Sequence, residues 1–132
     1  MTSPLLHLDG VAMHYGTGST AVNALVGVDL QVHHGELVAI MGASGSGKST
    51  LLTIAGGLVR PTSGEVILAG QWLSQLSAGQ LATLRRRTLG FVFQDFNLVP
   101  ALTAIENVAL PLELDGWKTK KARRAALAVV AE

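Results

Sequence analysis

Gly42-Ala43-Ser44-Gly45-Ser46-Gly47-Lys48-Ser49 sets three glycines ahead of a lysine and a hydroxyl. The run satisfies G-x-x-x-x-G-K-[ST] in full, a pattern tied to phosphate binding for physical reasons. Glycine reaches backbone angles closed to other residues, so successive N–H groups can turn toward one point and form an anion-binding nest. A helix beginning at Lys48 would add the partial positive charge of its N-terminus. Lys48 would then reach the β- and γ-phosphates of a nucleotide, and the Ser49 hydroxyl would ligate Mg²⁺. Thr50 would add a contact near the α-phosphate. The competing reading is a flexible turn that contains lysine by accident. A chance match in a chain this long arises on the order of one percent of the time.

The flanking elements are those such a loop requires. Leu37, Val38, Ala39, Ile40 and Met41 form a continuous apolar run, the pattern of a strand covered on both faces. Residues 48–55 read as the helix leading out. Upstream, Val28-Asp29-Leu30-Gln31-Val32 alternates strictly, as a strand with one wet face does. Residues 5–15 mix apolar and polar positions loosely, which suggests an edge strand. Turns are expected at 16–20, 33–36 and 60–64, with a short strand over 65–68. Ser77-Ala78-Gly79-Gln80 and Thr103-Ala104-Ile105-Glu106 each have the form of a capping box that opens a helix. Between them Leu89, Gly90, Phe91, Val92 and Phe93 suggest a buried strand, and 118–132 reads as a final helix.

Composition narrows the classes. The chain has 132 residues, 48% hydrophobic and 14% charged, with no cysteine. That length fits one domain, and its aliphatic content excludes disorder. A disulfide scaffold, a thiolate zinc site and a cysteine nucleophile are all excluded. A net charge of +1 gives no reason to expect a nucleic-acid partner. Five cations, Lys118, Lys120, Lys121, Arg123 and Arg124, fall on the polar side of the last helix and read as a solvated face rather than a lipid or nucleic-acid patch. Residues 1–10 lack a basic leader and carry Asp9, and the uncharged stretches 10–28 and 66–84 are broken by polar residues. Neither a secretory leader nor a membrane span is expected, so the default compartment is the cytoplasm.

Several classes of phosphate-loop protein remain. The guanine-reading N-K-x-D and the γ-phosphate-sensing D-x-x-G do not occur. Arg85-Arg86-Arg87 is open to two readings. One is a cationic lid of a small phosphotransferase, and the simpler one is a solvated helix C-terminus favoured by the macrodipole. Longer strings carry a resemblance: residues 22–30 followed by His34-Gly35-Glu36, then Ile54-Ala55-Gly56-Gly57-Leu58 with Pro61-Thr62-Ser63-Gly64-Glu65-Val66, then residues 90–98 and 102–108. They resemble the nucleotide-binding subunits of ABC transporters over essentially the whole chain. The wording around Gln94 and Leu110-Pro111-Leu112 is most similar to the lipoprotein-release and macrolide-export branch.

The resemblance implies an α/β fold in which a RecA-like P-loop NTPase core joins an antiparallel β-subdomain. Residues 1–132 would be the N-terminal portion of such a domain: β-subdomain, Walker A loop, Q-loop and the start of the helical subdomain. It implies ATP as ligand, Mg²⁺ as cofactor, transmembrane permease subunits as partners and a head-to-tail dimer or pseudo-dimer, peripheral on the inner face of the cell membrane. Tyr15, 27 residues before Gly42, takes the place of an aromatic that stacks on adenine, with Val22 beside the base. Gln94 matches the Q-loop glutamine that contacts Mg²⁺ and the attacking water. The nucleotide would sit on Gly42, Ala43, Ser44, Gly45, Ser46, Gly47, Lys48, Ser49 and Thr50, with Lys48 and Gln94 as the catalytic pair. Leu76-Ser77-Ala78-Gly79-Gln80 imitates the family signature L-S-G-G-Q, yet it precedes Gln94 by fourteen residues where the signature should follow, and reads better as a helix cap.

Parts of the family's apparatus have no counterpart in these 132 residues. Pro111 and Glu113 interrupt the only apolar run ending in Asp115, and Val129-Val130-Ala131-Glu132 lacks the aspartate of a Walker B strand. A true signature, an aspartate loop and a switch histidine are also missing, and the chain is expected to stop partway through the helical subdomain. A non-hydrolysing nucleotide-binding fragment therefore stands beside the ATPase reading. Without a Walker B neighbour, the run at 37–41 is expected to be a bare, association-prone edge.

Overall fold

The structure, a computed structural model, describes residues 3–131. The start of the expected leader-free segment, Met1 and Thr2, and the last residue of the expected final helix, Glu132, lie outside that range. The chain divides into two compact units, Met1–Thr88 and Leu89–Glu132.

The first unit is built on an antiparallel sheet of four strands in the order β2-β1-β3-β4. These are β1 (Leu6–Tyr15), β2 (Val22–Val32), β3 (Ser63–Leu68) and the two-residue β4 (Gln71–Trp72). β1 is not the expected edge strand: it pairs with β2 on one side and β3 on the other. Its loose pattern has a physical cause. Register slips between Leu8 and Val11, Val11 and Met13, and Met13 and His14 interrupt the two-residue alternation, so Val11, Ala12 and Met13 are buried in succession. The Asp29 carboxylate accepts the Gly10 N–H at 2.7 Å beside the first slip.

Helix α1 (Lys48–Ala55) lays Leu51 and Ile54 into a core with Leu8, Val11, Val66, Leu68, Leu73, Leu81 and Leu84. Leu81 and Leu84 come from α2 (Ala78–Thr88), which opens on a reciprocal cap. The Gln80 side chain accepts from the Ser77 N–H at 2.8 Å and the Ser77 hydroxyl accepts from the Gln80 N–H at 3.3 Å. The signature lookalike is thus a helix start. At the other end Arg85 is not simply solvated: it donates to the Gly57 carbonyl at 2.8 Å and closes the C-terminus of α1.

Two expected strands do not form. Residues 37–41 and 89–93 take no ladder partner among the described residues, and Leu37 and Met41 are 98% and 88% exposed. A run apolar on both faces becomes a strand only when neighbours pair its N–H and C=O groups and cover both faces. Neither condition is met here, so the sheet that does form is the antiparallel one.

The second unit is a helical hairpin. Its helices α3 (Ala104–Leu114) and α4 (Thr119–Val130) meet along Ala109, Ala122 and Ala126, flanked by Ile105 and Leu112. Pro111 and Glu113 lie inside α3, which removes that stretch from any strand role. The cationic face of α4 is partly engaged: Arg123 pairs with Glu106 at 2.8 Å, and the Lys121 ammonium sits 4.1 Å above the Trp117 ring. None of the helices among the described residues is long and apolar enough to cross a membrane.

The cap of α3 is complete in both directions. The Thr103 hydroxyl accepts from the Glu106 N–H, and the Glu106 carboxylate accepts from the Thr103 N–H and hydroxyl at 2.9 Å each. These Thr103 bonds, backbone first, and then Arg123 hold the Glu106 carboxyl below the ordinary carboxylate range. A lowered folded pKa adds stability that is present above the unfolded value and lost as pH falls through the folded value. Acidification should therefore loosen the start of α3, and Thr103→Ala should raise the Glu106 pKa toward its ordinary value while flattening that acid response. Side-chain carboxyl NMR across an acid titration, read beside helical circular dichroism, checks it.

Candidate functional site

The phosphate loop is placed by its contact with β2. Gly47, the residue that starts α1, has φ 79° and ψ 40°, a left-handed conformation that costs glycine little. A Cβ there would run into the Ala24 carbonyl oxygen and lie 3.4 Å from a Leu25 methyl. The loop therefore presses backbone to backbone on β2, with no room for a side chain between them. Gly45, at φ 77°, makes the other left-handed turn, and the Ser46 N–H closes on the Ala43 carbonyl at 3.2 Å.

No side chain caps α1, and its first backbone bond within the helix runs from Leu51 to Gly47. The N–H groups of the opening turn have no intrahelical acceptor, and the helix dipole concentrates positive potential there. Lys48 folds over the same loop. Its ammonium donates to the Gly42 and Ala43 carbonyls at 3.0 Å each, which uses two of its three N–H donors. A flexible cation is thereby held at the loop rather than swinging in solvent. The side chain of Ser49 is exposed, as are Gly42 to Ser46, while Lys48 and Thr50 are half-buried. Thr50 also anchors the turn behind the loop, its carbonyl accepting from the Thr53 hydroxyl at 2.9 Å. Backbone donors, a fixed ammonium and accessible hydroxyls together suit a polyanion of phosphate size.

Tyr15 and Val22 are register partners at the turn end of the β1–β2 hairpin, 44% and 59% exposed. Val22 stands two residues from Ala24, so the hairpin end and the loop seat share one short stretch of β2. The structure thus brings Tyr15, Val22 and the phosphate loop into one unit. Gln94 belongs to the other unit, on an exposed bend in residues 91–98. Among the described residues no three His, Asp or Glu gather to hold a metal.

Other parts of the arrangement escape the sequence pattern. Ala24 and Leu25 seat the loop although they bear no chemistry of their own. Thr62 accepts the His14 N–H at 3.0 Å from 48 positions away. Asn107 organises the segment after Gln94: its amide oxygen accepts from the Val99 N–H, and its amide nitrogen donates to the Val99, Leu102 and Thr103 carbonyls. Ala24, Leu25, Thr62 and Asn107 all lie within strings already singled out, but long-range partners of this kind leave no local motif that would assign them these roles.

Known proteins resemble this chain in sequence and in fold. The profile of the family described as ABC transporter matches residues 25–131. The macrolide export ATP-binding/permease protein MacB of Brucella abortus (strain 2308) is 48% identical over 128 residues, covering 97% of this chain and 20% of that protein. The pyoverdine export ATP-binding/permease protein PvdT of Pseudomonas syringae pv. tomato is 51% identical over 130 residues, covering 96% and 20%. The chain therefore spans about a fifth of the length of these relatives. Among solved structures, the dimeric bacterial ABC transporter cassette MJ0796 matches with a TM-score of 0.86 at 44% identity, over 93% of this chain and 54% of that one. A post-hydrolysis state of the same cassette, bound to ADP and Pi, matches at 0.85.

The seat of Gly47 makes a direct prediction. Gly47→Ala adds a left-handed alanine and a collision with the Ala24 carbonyl, and should destabilise the first unit by about 2 kcal/mol or more. Gly42→Ala meets the rotatable Ser46 hydroxyl at 2.7 Å and the Ser46 Cβ at an ordinary 3.4 Å, and should cost well under half of that. Thermal melts of the two variants side by side check the difference.

Proposed function

The chain belongs to the ABC transporter family, and from that premise we propose that it is the ATP-binding part of an export system that couples nucleotide binding to transport by membrane-embedded permease segments. The observation that carries the proposal is the loop of Gly42 to Ser49, seated on β2 with the Lys48 ammonium held against the Gly42 and Ala43 carbonyls. The names of the relatives, export ATP-binding/permease proteins, supply the export context.

In this reading the N–H groups of Gly45 to Thr50 receive the α- and β-phosphates. Lys48 bridges the β- and γ-phosphates, where negative charge must be neutralised. Mg²⁺ would be held by the Ser49 hydroxyl, a hard oxygen donor of the kind that completes a shell made mostly of phosphate oxygens and water. The ion's contribution is to offset phosphate charge. Tyr15 and Val22 supply an apolar platform for the base, and their exposure leaves a ring face open to stack. Residues 1–132 act as the N-terminal portion of the ATP-binding domain, on the inner face of the membrane, and two copies work as a head-to-tail pair. The dimeric state of the matched cassette supports that last point.

Hydrolysis needs a water-positioning base and full charge neutralisation, and the 132 residues contain only part of that set. A phosphotransferase gains nothing from the structure, because Arg85 is engaged by the Gly57 carbonyl. The chain by itself should bind Mg·ATP without turnover. Lys48→Ala should weaken binding by about 10- to 100-fold, the weight of a charge-assisted phosphate contact. Equilibrium binding with labelled ATP, followed by product analysis, tests both statements. Release of inorganic phosphate by the wild-type chain that Lys48→Ala abolishes would contradict the no-turnover reading. A phosphorylated acceptor would favour the phosphotransferase.

A further inference from the structure

The end of β1 that presents Tyr15 lies beyond the reach of the β1–β3 ladder, whose last pair is Ala12 with Ser63. Past that pair, backbone groups on this side of β1 need another partner. Thr62 supplies it twice. Its N–H donates to the Ala12 carbonyl at 2.9 Å, and its hydroxyl oxygen accepts the His14 N–H at 3.0 Å. The hydroxyl hydrogen is directed to the Met13 sulfur at 3.5 Å. On the opposite side the His14 ring and the Asn23 amide oxygen meet at 2.6 Å, one position along the hairpin from Tyr15 and Val22.

We infer that Thr62 is a positioning residue for nucleotide-base binding. It sits in the turn between α1, which starts at the phosphate loop, and β3. Its side chain continues the β3 ladder by one step and fixes the angle at which β1 delivers Tyr15. Because Thr62 and α1 belong to one connected segment, the base platform is tied to the same scaffold that carries the phosphate loop. The inference rests on the reading of Tyr15 as that platform. Thr62 touches neither base nor phosphate in this account. Its removal should therefore alter selectivity for the base and spare the recognition of phosphate.

The test compares Mg·ATP with Mg·tripolyphosphate, which lacks the base, in the intact protein. Thr62→Val keeps the branched shape and removes the hydroxyl. It should raise the Kd for ATP about fivefold, the worth of one ordinary hydrogen bond, and leave tripolyphosphate unchanged. Thr62→Ser should restore ATP binding. Equal weakening of both ligands would mean that Thr62 only holds the fold together, and would overturn the inference. So would unchanged ATP binding in Thr62→Val alongside a clear loss in Tyr15→Ala, which would leave the base platform standing without Thr62. If Tyr15→Ala itself leaves the ratio of ATP to tripolyphosphate affinity unaltered, the platform reading fails and this inference fails with it.

Discussion

The contact between Gly47 and the Ala24 carbonyl is the constraint on which the site depends. A nest of amide donors is useful only if its concave side faces a fixed direction, and a glycine-rich loop has no side chains to fix itself. Here the fixing is done by β2, against whose backbone Gly47 closes with no space for a Cβ. β2 is in turn held by its long pairing with β1 from Tyr15 and Val22 down to Leu6 and Val32. One strand pair thus positions both ends of a ligand-sized stretch, the hairpin tip and the loop seat. α1 then follows from Gly47 and anchors itself through Leu51 and Ile54 in the core. The Lys48 side chain folds back on the loop that precedes it, so the cation and the amide donors form one local structure.

Much of this was legible before any coordinates. The loop spacing, the helix over 48–55 and both capping boxes rest on local rules, and local rules survive in a short sequence. The two boxes have the reciprocal bonds that their residues suggest. What could not be read depends on distant partners. β1 reads as an edge because its slips scramble the alternation, three of them against its hairpin partner β2 and one, between Asp9 and Ala12, against the distant β3, and no local pattern announces them. The role of Thr62 has the same origin. Arg85 looked solvated because a helix C-terminus attracts cations anyway, and nothing nearby in sequence points to Gly57.

The apolar runs at 37–41 and 89–93 teach the complementary lesson. Their composition states a requirement for cover on two faces, and composition cannot supply the cover. In the described residues the requirement goes unmet, and Leu37 and Met41 stand in solvent. The matched cassette is nearly twice as long as the stretch that aligns, since the chain covers 54% of it. An unpaired backbone flanked by large apolar side chains has a strong tendency to recruit a neighbouring strand. The loop seat does not depend on that run: β2 is set by its ladder with β1, so the seat is formed although residues 37–41, immediately before the loop, are unpaired.

The central claim is that a triphosphate binds at the loop seated on β2 while the base engages the hairpin tip. Hydrogen exchange of the intact protein, followed by mass spectrometry, tests it most directly. With Mg·ATP, peptides spanning residues 42–50 and 15–22 should both gain protection. With Mg·tripolyphosphate only the 42–50 peptides should do so. Protection that leaves 42–50 unchanged, or that is the same at 15–22 for both ligands, would contradict the account.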